Sequence, residues 1–341
     1  MKVDAMLQGT GLAELAKEAR DREAAGYDGL WSFEGPHDPF LPLMPVAEHT
    51  SRITVGTAIA VAFARNPMTM AYVAHDVQVH SEGRFLLGLG SQVKPHIERR
   101  FAMPWSRPAA RMREYVSALR AIWSAWETGE RLNFRGDFYS HTLMTPFFTP
   151  EPSPWGPPKV YLAAVGDQMT RTAGEVCDGL QPHPFTTRRY LEERTLPTLQ
   201  EGLAASGRSL DGFSISFSGF VVSGTTEEEM AAAARGTREQ IAFYGSTPAY
   251  RKVLDLHGWS ELGDELNKLS RGTDPARWRR MGELVDDEVL HAFAVVAEPD
   301  RVGAAVLDRF GGLVDRFTFY TPYPHADDLF ARAIEELRRA G

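Results

Sequence analysis

The chain has 341 residues, of which 43% are hydrophobic, and it carries a formal net charge of -8 at pH 7. A chain of this length can bury a large core, while the acidic balance argues against a nucleic-acid or anionic-membrane partner. Its one cysteine, Cys177, excludes an internal disulfide and most structural zinc sites. The N-terminus lacks the features of a signal peptide, and no apolar run is long enough to span a membrane. We therefore expect a cytoplasmic protein with a single domain over residues 1–341, a small-molecule partner and a packing role for Cys177.

Eight segments have the apolar composition of buried strands, and helical patterns separate most of them. They cover residues 3–8, 29–33, 53–60, 84–89, 160–164, 179–183, 214–222 and 317–320. Because strands and helices alternate without a strand-only block, the pattern predicts an α/β fold with a parallel sheet closed into a (β/α)8 TIM barrel. An open, doubly wound sheet is the alternative.

The helix after the third strand has signals at both ends. Asn66 is a favourable N-cap and Pro67 is pre-set for the first helical position, so a helix is predicted from Met68 to about His80. Gly83 ends it. An apolar, tryptophan-rich stripe within residues 112–126 has helical spacing and is interpreted as core or as a subunit contact.

Two segments do not follow the alternation of strands and helices. Residues 133–143, with Arg-Gly-Asp at their centre, are predicted to form a hairpin excursion. Residues 245–290 contain short helical patterns broken by glycine and proline, and they are predicted to form a helical insertion or lid.

Ionisable residues follow the second predicted strand. The carboxyl ends of barrel strands meet at one mouth, where barrel enzymes have their active sites. Glu34, His37 and Asp38 are interpreted as an acid/base group, since a histidine titrates near neutrality and a close carboxylate can orient it. Alternatively, Asp38 caps the helix after Pro39. These residues and His183 lack the short spacing of a metal cage, so we expect no metal.

A glycine lies between the fifth strand and the helix after it. Gly166 would let a phosphate approach the N–H groups at the start of that helix. Asp167 would repel an anion unless it serves as a cap, and Arg171 lies one turn later. An ordinary strand-to-helix turn is the alternative.

The segments GTAIAVAFARNP, GRFLLGLGS, VYLAAVGDQMTRTAGEVCDGL and HPF together resemble the bacterial luciferase-like monooxygenase superfamily over nearly the whole chain. The segments EGPHDPFLPL and AAVGDQMTRTAGEVCDGLQPHPF are similar to the branch that uses the deazaflavin coenzyme F420 rather than FMN. The resemblance implies a TIM barrel that holds the cofactor ring at its C-terminal mouth, a homodimer, and hydride transfer between F420 and a small organic substrate.

The resemblance also implies roles for single residues. It places a bulge with a non-proline cis peptide, which supports the ring, near Ala58–Ile59. His37 and Asp38 match the histidine and acid beside the reactive carbon, in the reverse of the commoner order, and Glu34 lies next to them. By carry-over, the cofactor contacts are Ala58, Ile59, Gly90, Ser91, Gln92, Gly166, Asp167, Gln168 and His183.

Two other functions are consistent with the sequence. One is an FMN-dependent monooxygenase that consumes oxygen and needs a flavin reductase. The other is a barrel that binds a flavin or deazaflavin without catalysis. Val93 and Asp167 favour the second, because a glutamate that some relatives carry shortly after the fourth strand is absent and an acid lies in the phosphate turn.

Overall fold

The computed structural model of the protein describes residues 1–9 and 11–340. Its strands are β1 (Lys2–Met6), β2 (Gly29–Ser32), β3 (Thr54–Thr57), β4 (Ala60–Val61), β5 (Phe85–Gly90), β6 (Phe134–Arg135), β7 (Ser140–His141), β8 (Lys159–Ala164), β9 (Gly179–Pro182), β10 (Ser214–Val222), β11 (Ala294–Val296) and β12 (Arg316–Tyr320).

The α-helices of the described residues are α1 (Leu12–Ala24), α2 (Leu43–Glu48), α3 (Pro67–His80), α4 (Pro108–Thr128), α5 (Asp167–Val176), α6 (Arg188–Tyr190), α7 (Leu196–Ala205), α8 (Glu227–Gly245), α9 (Arg251–Leu256), α10 (Ser260–Ser270), α11 (Arg277–Glu283), α12 (Asp287–Phe293), α13 (Val302–Phe310) and α14 (Ala331–Arg339). Short 3-10 turns lie at Ala62–Ala64, Pro146–Phe148 and Pro248–Tyr250, and π-helical turns at His96–Arg100 and Leu191–Thr195. Among the residues described, no helix is long and apolar enough to cross a membrane.

Eight parallel strands close into a barrel in the order β1-β2-β3-β5-β8-β9-β10-β12 and back to β1. All residues of β2 and of β5 are buried, as expected for parallel strands that are covered on both faces. The predicted TIM barrel is therefore confirmed, and the open-sheet alternative is wrong. Each of the eight predicted strands overlaps a barrel strand.

The structure differs from the predicted strands in two places. The third predicted strand, residues 53–60, is two shorter strands, because β3 ends at Thr57 and β4 begins at Ala60. In addition, β11 was not predicted. It pairs in parallel with the end of β10, with Phe220 opposite Ala294 and Val222 opposite Val296. Its three residues follow α12 directly and are too few to show a strand period.

The chain forms two compact units. The first unit contains residues 1–4, residues 182–197 and the chain from residue 215 onward. The second unit contains residues 5–181 and 198–214.

In the second unit, α4 buries the tryptophan-rich stripe, so its interpretation as core is confirmed. Trp123 Nε1 donates to the Ala71 carbonyl on α3 at 3.2 Å, and Tyr72 stacks on Trp126 with ring centroids 4.9 Å apart. The start of α3 also follows the prediction, because the Asn66 side chain accepts the Met68 N–H at 2.8 Å. After that helix Gly83 adopts φ +81°, which glycine tolerates without steric cost.

The Arg-Gly-Asp segment of the second unit lies in a hairpin in which β6 and β7 pair antiparallel. The Glu114 carboxylate on α4 accepts the backbone N–H groups of Asp137, Phe138 and Tyr139 at 2.8, 2.7 and 2.6 Å. The hairpin is therefore fixed to α4 by one carboxylate. Cys177, in the same unit, is buried, and burial raises the pKa of its thiol to about 12, which agrees with a packing role.

The core of the first unit is aromatic. Phe185 stacks on Phe293 with ring centroids 4.5 Å apart, and α9 to α12 of the region predicted as a helical insertion surround this cluster. Asp4 on β1 and Arg316 on β12 form a buried, bidentate ion pair with N···O distances of 2.7 and 2.6 Å. This pair joins the first and last strands within the first unit.

Candidate functional site

The interruption between β3 and β4 is a non-proline cis peptide between Ala58 and Ile59, as predicted. Backbone hydrogen bonds join it to the chain around the end of β2. Ala58 N–H donates to the Ser32 carbonyl at 2.7 Å, and Glu34 N–H donates to the Ile59 carbonyl at 3.0 Å. A Cβ atom on Gly90, at the end of β5, would lie 2.8 Å from Ile59 Cδ1. Glycine at position 90 therefore leaves the room that the Ile59 side chain occupies.

Thr57, Gly88 and Gln181, in the second unit, form a hydrogen-bonded cluster next to the Ala58–Ile59 peptide. The Thr57 hydroxyl donates to the Gly88 carbonyl at 2.7 Å and accepts the Gly88 N–H at 2.9 Å. Gln181 Nε2 donates to the Thr57 carbonyl at 3.3 Å. Gln181 Oε1 is buried and has no hydrogen-bond partner among the described residues. A buried acceptor without a donor costs about 1–3 kcal/mol, so this oxygen is suited to accept a hydrogen bond from a ligand N–H or from water.

The carboxylates of the predicted acid/base group both bind Arg65. Glu34 Oε2 lies 2.5 Å from Arg65 Nη1 and accepts the Val61 N–H at 2.7 Å, while Asp38 Oδ2 lies 2.9 Å from Arg65 Nη2. Glu34 is nearly buried, with 6% of its side chain exposed, whereas 40% of the Asp38 side chain is exposed. Burial acts to lower the pKa of Arg65, but the hydrogen bonds and charges of Glu34 and Asp38 outweigh it, so the pKa lies above its ordinary value.

Asp38 also shapes the turn that follows it. Its Oδ1 accepts the N–H groups of Phe40 and Leu41 at 2.8 and 3.3 Å. Asp38 therefore caps a turn, but this turn lies before α2 and is not the first turn of that helix, as the alternative had predicted. His37 is exposed, and neither carboxylate bonds to it in the described structure. The orientation of His37 by a carboxylate is therefore not observed, and its catalytic role stays a prediction.

The loop after β5 has an unusual backbone. Gln92 adopts φ +59°, the left-handed region that few residues other than glycine occupy and that is frequent at functional sites. Its side chain bonds the chain locally, because Gln92 Oε1 accepts the Val93 N–H at 3.0 Å, and Ser91 Oγ donates to the Gln92 carbonyl at 3.1 Å. Both side chains are half-buried. The bonds hold the loop that was predicted to contact the cofactor.

Gly166 is the N-cap of α5, and Asp167 begins the helix. A Cβ atom on Gly166 would meet no described atom within 4 Å, so the space beside it is open. Gln168 is exposed, and the Arg171 guanidinium pairs with Glu201 on the outer surface. The positions predicted for phosphate binding therefore lie in the first turn of a helix. The N–H groups of a first turn point out of the N-terminal end of the helix, where an anion can approach them.

His183 belongs to the first unit. Its ring stacks on Tyr250 at 4.3 Å and meets the edge of Tyr244 at 4.8 Å between centroids, while its Nδ1 accepts the Phe185 N–H at 3.0 Å. This bond requires an unprotonated Nδ1, so the neutral ring carries its proton on Nε2. Burial lowers the pKa of His183 to about 4. No described group of three or more His, Cys, Asp or Glu residues could hold a metal ion.

A sequence model described as luciferase-like monooxygenase matches residues 1–316. The chain belongs to this family. An uncharacterized protein of Mycobacterium tuberculosis is 55% identical to it over 305 residues, which cover 89% of this chain and 89% of that protein. A putative coenzyme F420-dependent oxidoreductase of the same species is 28% identical over 309 residues, or 85% of this chain and 84% of that protein.

The same fold occurs in the coenzyme F420-dependent tetrahydromethanopterin reductase of Methanopyrus kandleri. The two structures superpose with a TM-score of 0.77 at 19% sequence identity, over 98% of this chain and 96% of that chain. At this identity the likeness supports the fold alone. Relatives of this luciferase-like chain thus include proteins named for their dependence on F420.

Within the second unit of this luciferase-like protein, Glu34, Asp38 and Ile59 are brought together with residues to which no individual role was assigned from the sequence. These are Thr57, Arg65 and Gln181. The signal for Gln181 was a single amide within an otherwise apolar strand. Arg65 gave no local signal, because its partners lie 27 and 31 residues earlier in the chain.

Proposed function

We propose that the protein is an F420-dependent oxidoreductase that transfers a hydride between the deazaflavin and a small organic substrate. The observation that carries this proposal is the combination found at the ends of β3 and β5. There the Ile59 side chain packs against Gly90, and the next loop contains Gln92 in the left-handed conformation. The similarity to a putative F420-dependent oxidoreductase over 85% of the chain supports the choice of F420 over FMN.

The residues of the second unit fit such a cofactor. A deazaflavin has a flat ring with an N–H donor, and Gln181 Oε1 is a buried acceptor that lacks a donor among the described residues. It also has a phosphate, for which the open space beside Gly166 at the start of α5 is suitable. Ala58, Ile59, Gly90, Ser91 and Gln92 would hold the ring and polyol, and Gly166 with Gln168 the phosphate. When bound, the deazaflavin supplies the carbon that donates or accepts the hydride.

The protein's own contribution is position and protonation. Glu34 and Asp38 serve as anchors for Arg65, since their oxygens are engaged by the guanidinium and by backbone N–H groups. That leaves His37, in the loop between them, as the group that can hold or release a proton during turnover. A His37→Ala variant should keep cofactor binding and lose most of its turnover. Unchanged turnover would remove His37 from the mechanism.

Turnover distinguishes the three functions. Purified protein is mixed anaerobically with reduced F420 and a panel of carbonyl, imine and enone acceptors, and formation of oxidised F420 is followed by its absorbance. Oxidation that depends on acceptor and protein supports the proposal. Oxygen consumption with reduced FMN, and none of this F420 oxidation, would establish the monooxygenase instead. Tight F420 binding with no acceptor turned over would favour the non-catalytic barrel.

Four expectations from the sequence remain predictions. They are the homodimer, the cytoplasmic location, the absence of a metal and a role for His183 with the cofactor.

A further inference from the structure

The loop that carries His37 is anchored on both sides of that residue. On the N-terminal side, Glu34 Oε2 accepts the Val61 N–H at 2.7 Å and contacts Arg65 Nη1 at 2.5 Å. On the C-terminal side, Asp38 Oδ2 contacts Arg65 Nη2 at 2.9 Å. Three residues, 35 to 37, therefore span the gap between two carboxylates that one guanidinium holds.

Arg65 is itself fixed next to the break between β3 and β4, beside Ala58 and Ile59, which are proposed to hold the cofactor ring. It follows the 3-10 turn Ala62–Ala64, and its Nη1 donates to the Val61 carbonyl at 3.3 Å. Its guanidinium carbon lies 5.6 Å from the centre of the Phe40 ring, and only 20% of the side chain is exposed. A planar guanidinium can bond two carboxylates and a carbonyl at once, whereas the compact ammonium of lysine cannot reproduce this fork.

One further contact holds the middle of the loop. Arg100 Nη2 donates to the Gly35 carbonyl at 2.8 Å. The His37 side chain itself is exposed, and none of the hydrogen bonds described for this loop involves it. Its placement is therefore determined by the anchors of its backbone rather than by contacts of its ring.

We propose that Arg65 is the positioning residue for His37: by bridging Glu34 and Asp38 it holds the His37 loop at a fixed place relative to the Ala58–Ile59 bulge. This inference rests on the proposed function for the reaction that His37 serves, but the placement of the loop is a property of the protein alone. A displacement of about 1 Å in a reacting group can cost about 100-fold in rate, so loss of the bridge should reduce turnover on that scale.

The test is a double-mutant cycle. The variants are Arg65→Ala, His37→Ala and the double variant, with Arg65→Lys as a milder change that keeps the charge. The control is Arg113→Ala, which removes an arginine from an exposed ion pair with Glu175. If Arg65 acts through His37, Arg65→Ala lowers kcat about 100-fold in the wild-type background. In the His37→Ala background it should have almost no further effect. An equal loss in both backgrounds would overturn the proposal.

A second readout needs no cofactor. Hydrogen exchange of residues 34–41 is measured in the free protein, because the Phe40 and Leu41 amides bond to Asp38. We expect faster exchange in this loop for Arg65→Ala, partly for Arg65→Lys, and not for Arg113→Ala. Added guanidinium at non-denaturing concentration should restore both slow exchange and turnover to Arg65→Ala. Unchanged exchange in Arg65→Ala would refute the positioning role, whereas failure of the wild type to turn over F420 would refute only the proposed function.

Discussion

Gly88 offers a quantitative test of how the packing of β3 against β5 supports the Ala58–Ile59 bulge, which is proposed to hold the cofactor ring. A Cβ atom at this position would lie 1.8 Å from the Thr57 carbonyl oxygen and 2.6 Å from Gln181 Oε1. The first of these atoms belongs to the backbone of β3, so a Gly88→Ala variant cannot relieve the clash by turning a side chain. β3 must move away by about 1 Å or more, and the Ala58–Ile59 bulge that follows Thr57 must move with it.

The expected change in stability combines two costs and one smaller gain. Overpacking a close-packed interior costs about 1–3 kcal/mol and sometimes more. The movement also weakens the two Thr57–Gly88 hydrogen bonds of 2.7 and 2.9 Å, each of which contributes about 1 kcal/mol. Alanine restricts the unfolded chain and returns about 0.4–1 kcal/mol. We therefore expect Gly88→Ala to lower the free energy of unfolding by about 2–4.5 kcal/mol, a large share of the typical total.

Urea unfolding followed by circular dichroism measures this change, and Gly90→Ala in the same strand is the matched control. The Cβ atom at Gly90 would lie 2.8 Å from both Cδ1 and Cγ1 of Ile59, and its three nearest atoms all belong to that one side chain. The cost should therefore be near the lower end of about 1–3 kcal/mol. If Gly88→Ala unfolds at the same urea concentration as Gly90→Ala or as the wild type, the packing argument is wrong. F420 binding by Gly88→Ala should also weaken, because the bulge is displaced.

Two further predictions concern the phosphate turn and His183. Gly166→Ala should change the free energy of unfolding by less than about 1 kcal/mol, because the added Cβ meets no described atom within 4 Å. The same variant should weaken F420 binding if the space beside Gly166 receives the phosphate. Equal affinity in a fluorescence titration would contradict phosphate binding at this turn. The pKa of His183 is lowered to about 4, so the unfolded chain takes up the proton first and the folded state loses stability as the pH falls from about 6.5 towards 4. A His183→Phe variant should lose about 2 kcal/mol less than the wild type between pH 6.5 and 4.5, and parallel curves from urea unfolding would contradict the burial of this imidazole.

The barrel could be predicted because its strands are short apolar runs bounded by glycine, proline or polar residues, and helical patterns separate most of them. The Asn66-Pro67 start of α3 is the clearest case, since the cap and the fixed φ of proline act locally. The break in β3 could not be read from hydrophobicity, because Ala58 and Ile59 continue the apolar run. Its position came instead from the family resemblance.

The polar arrangement of the site depends on contacts between distant parts of the chain. From sequence, Glu34 and Asp38 are two carboxylates beside a histidine, which predicts an acid/base group. The structure shows that both bind Arg65, which lies after the next strand, so the carboxylates act as anchors. The pairing of Gln181 with Thr57 joins residues 124 positions apart, which a single sequence cannot reveal.

Binding of oxidised F420 and of FMN to the same purified protein shows which of the two cofactors it uses. Each cofactor is titrated separately, and the change in its fluorescence gives the Kd. The proposed function predicts saturable binding of F420 at least about 10-fold tighter than that of FMN. The buried acceptor Gln181 Oε1 predicts weaker F420 binding in a Gln181→Leu variant, which lacks the acceptor. Binding of FMN alone would contradict the proposed F420-dependent function.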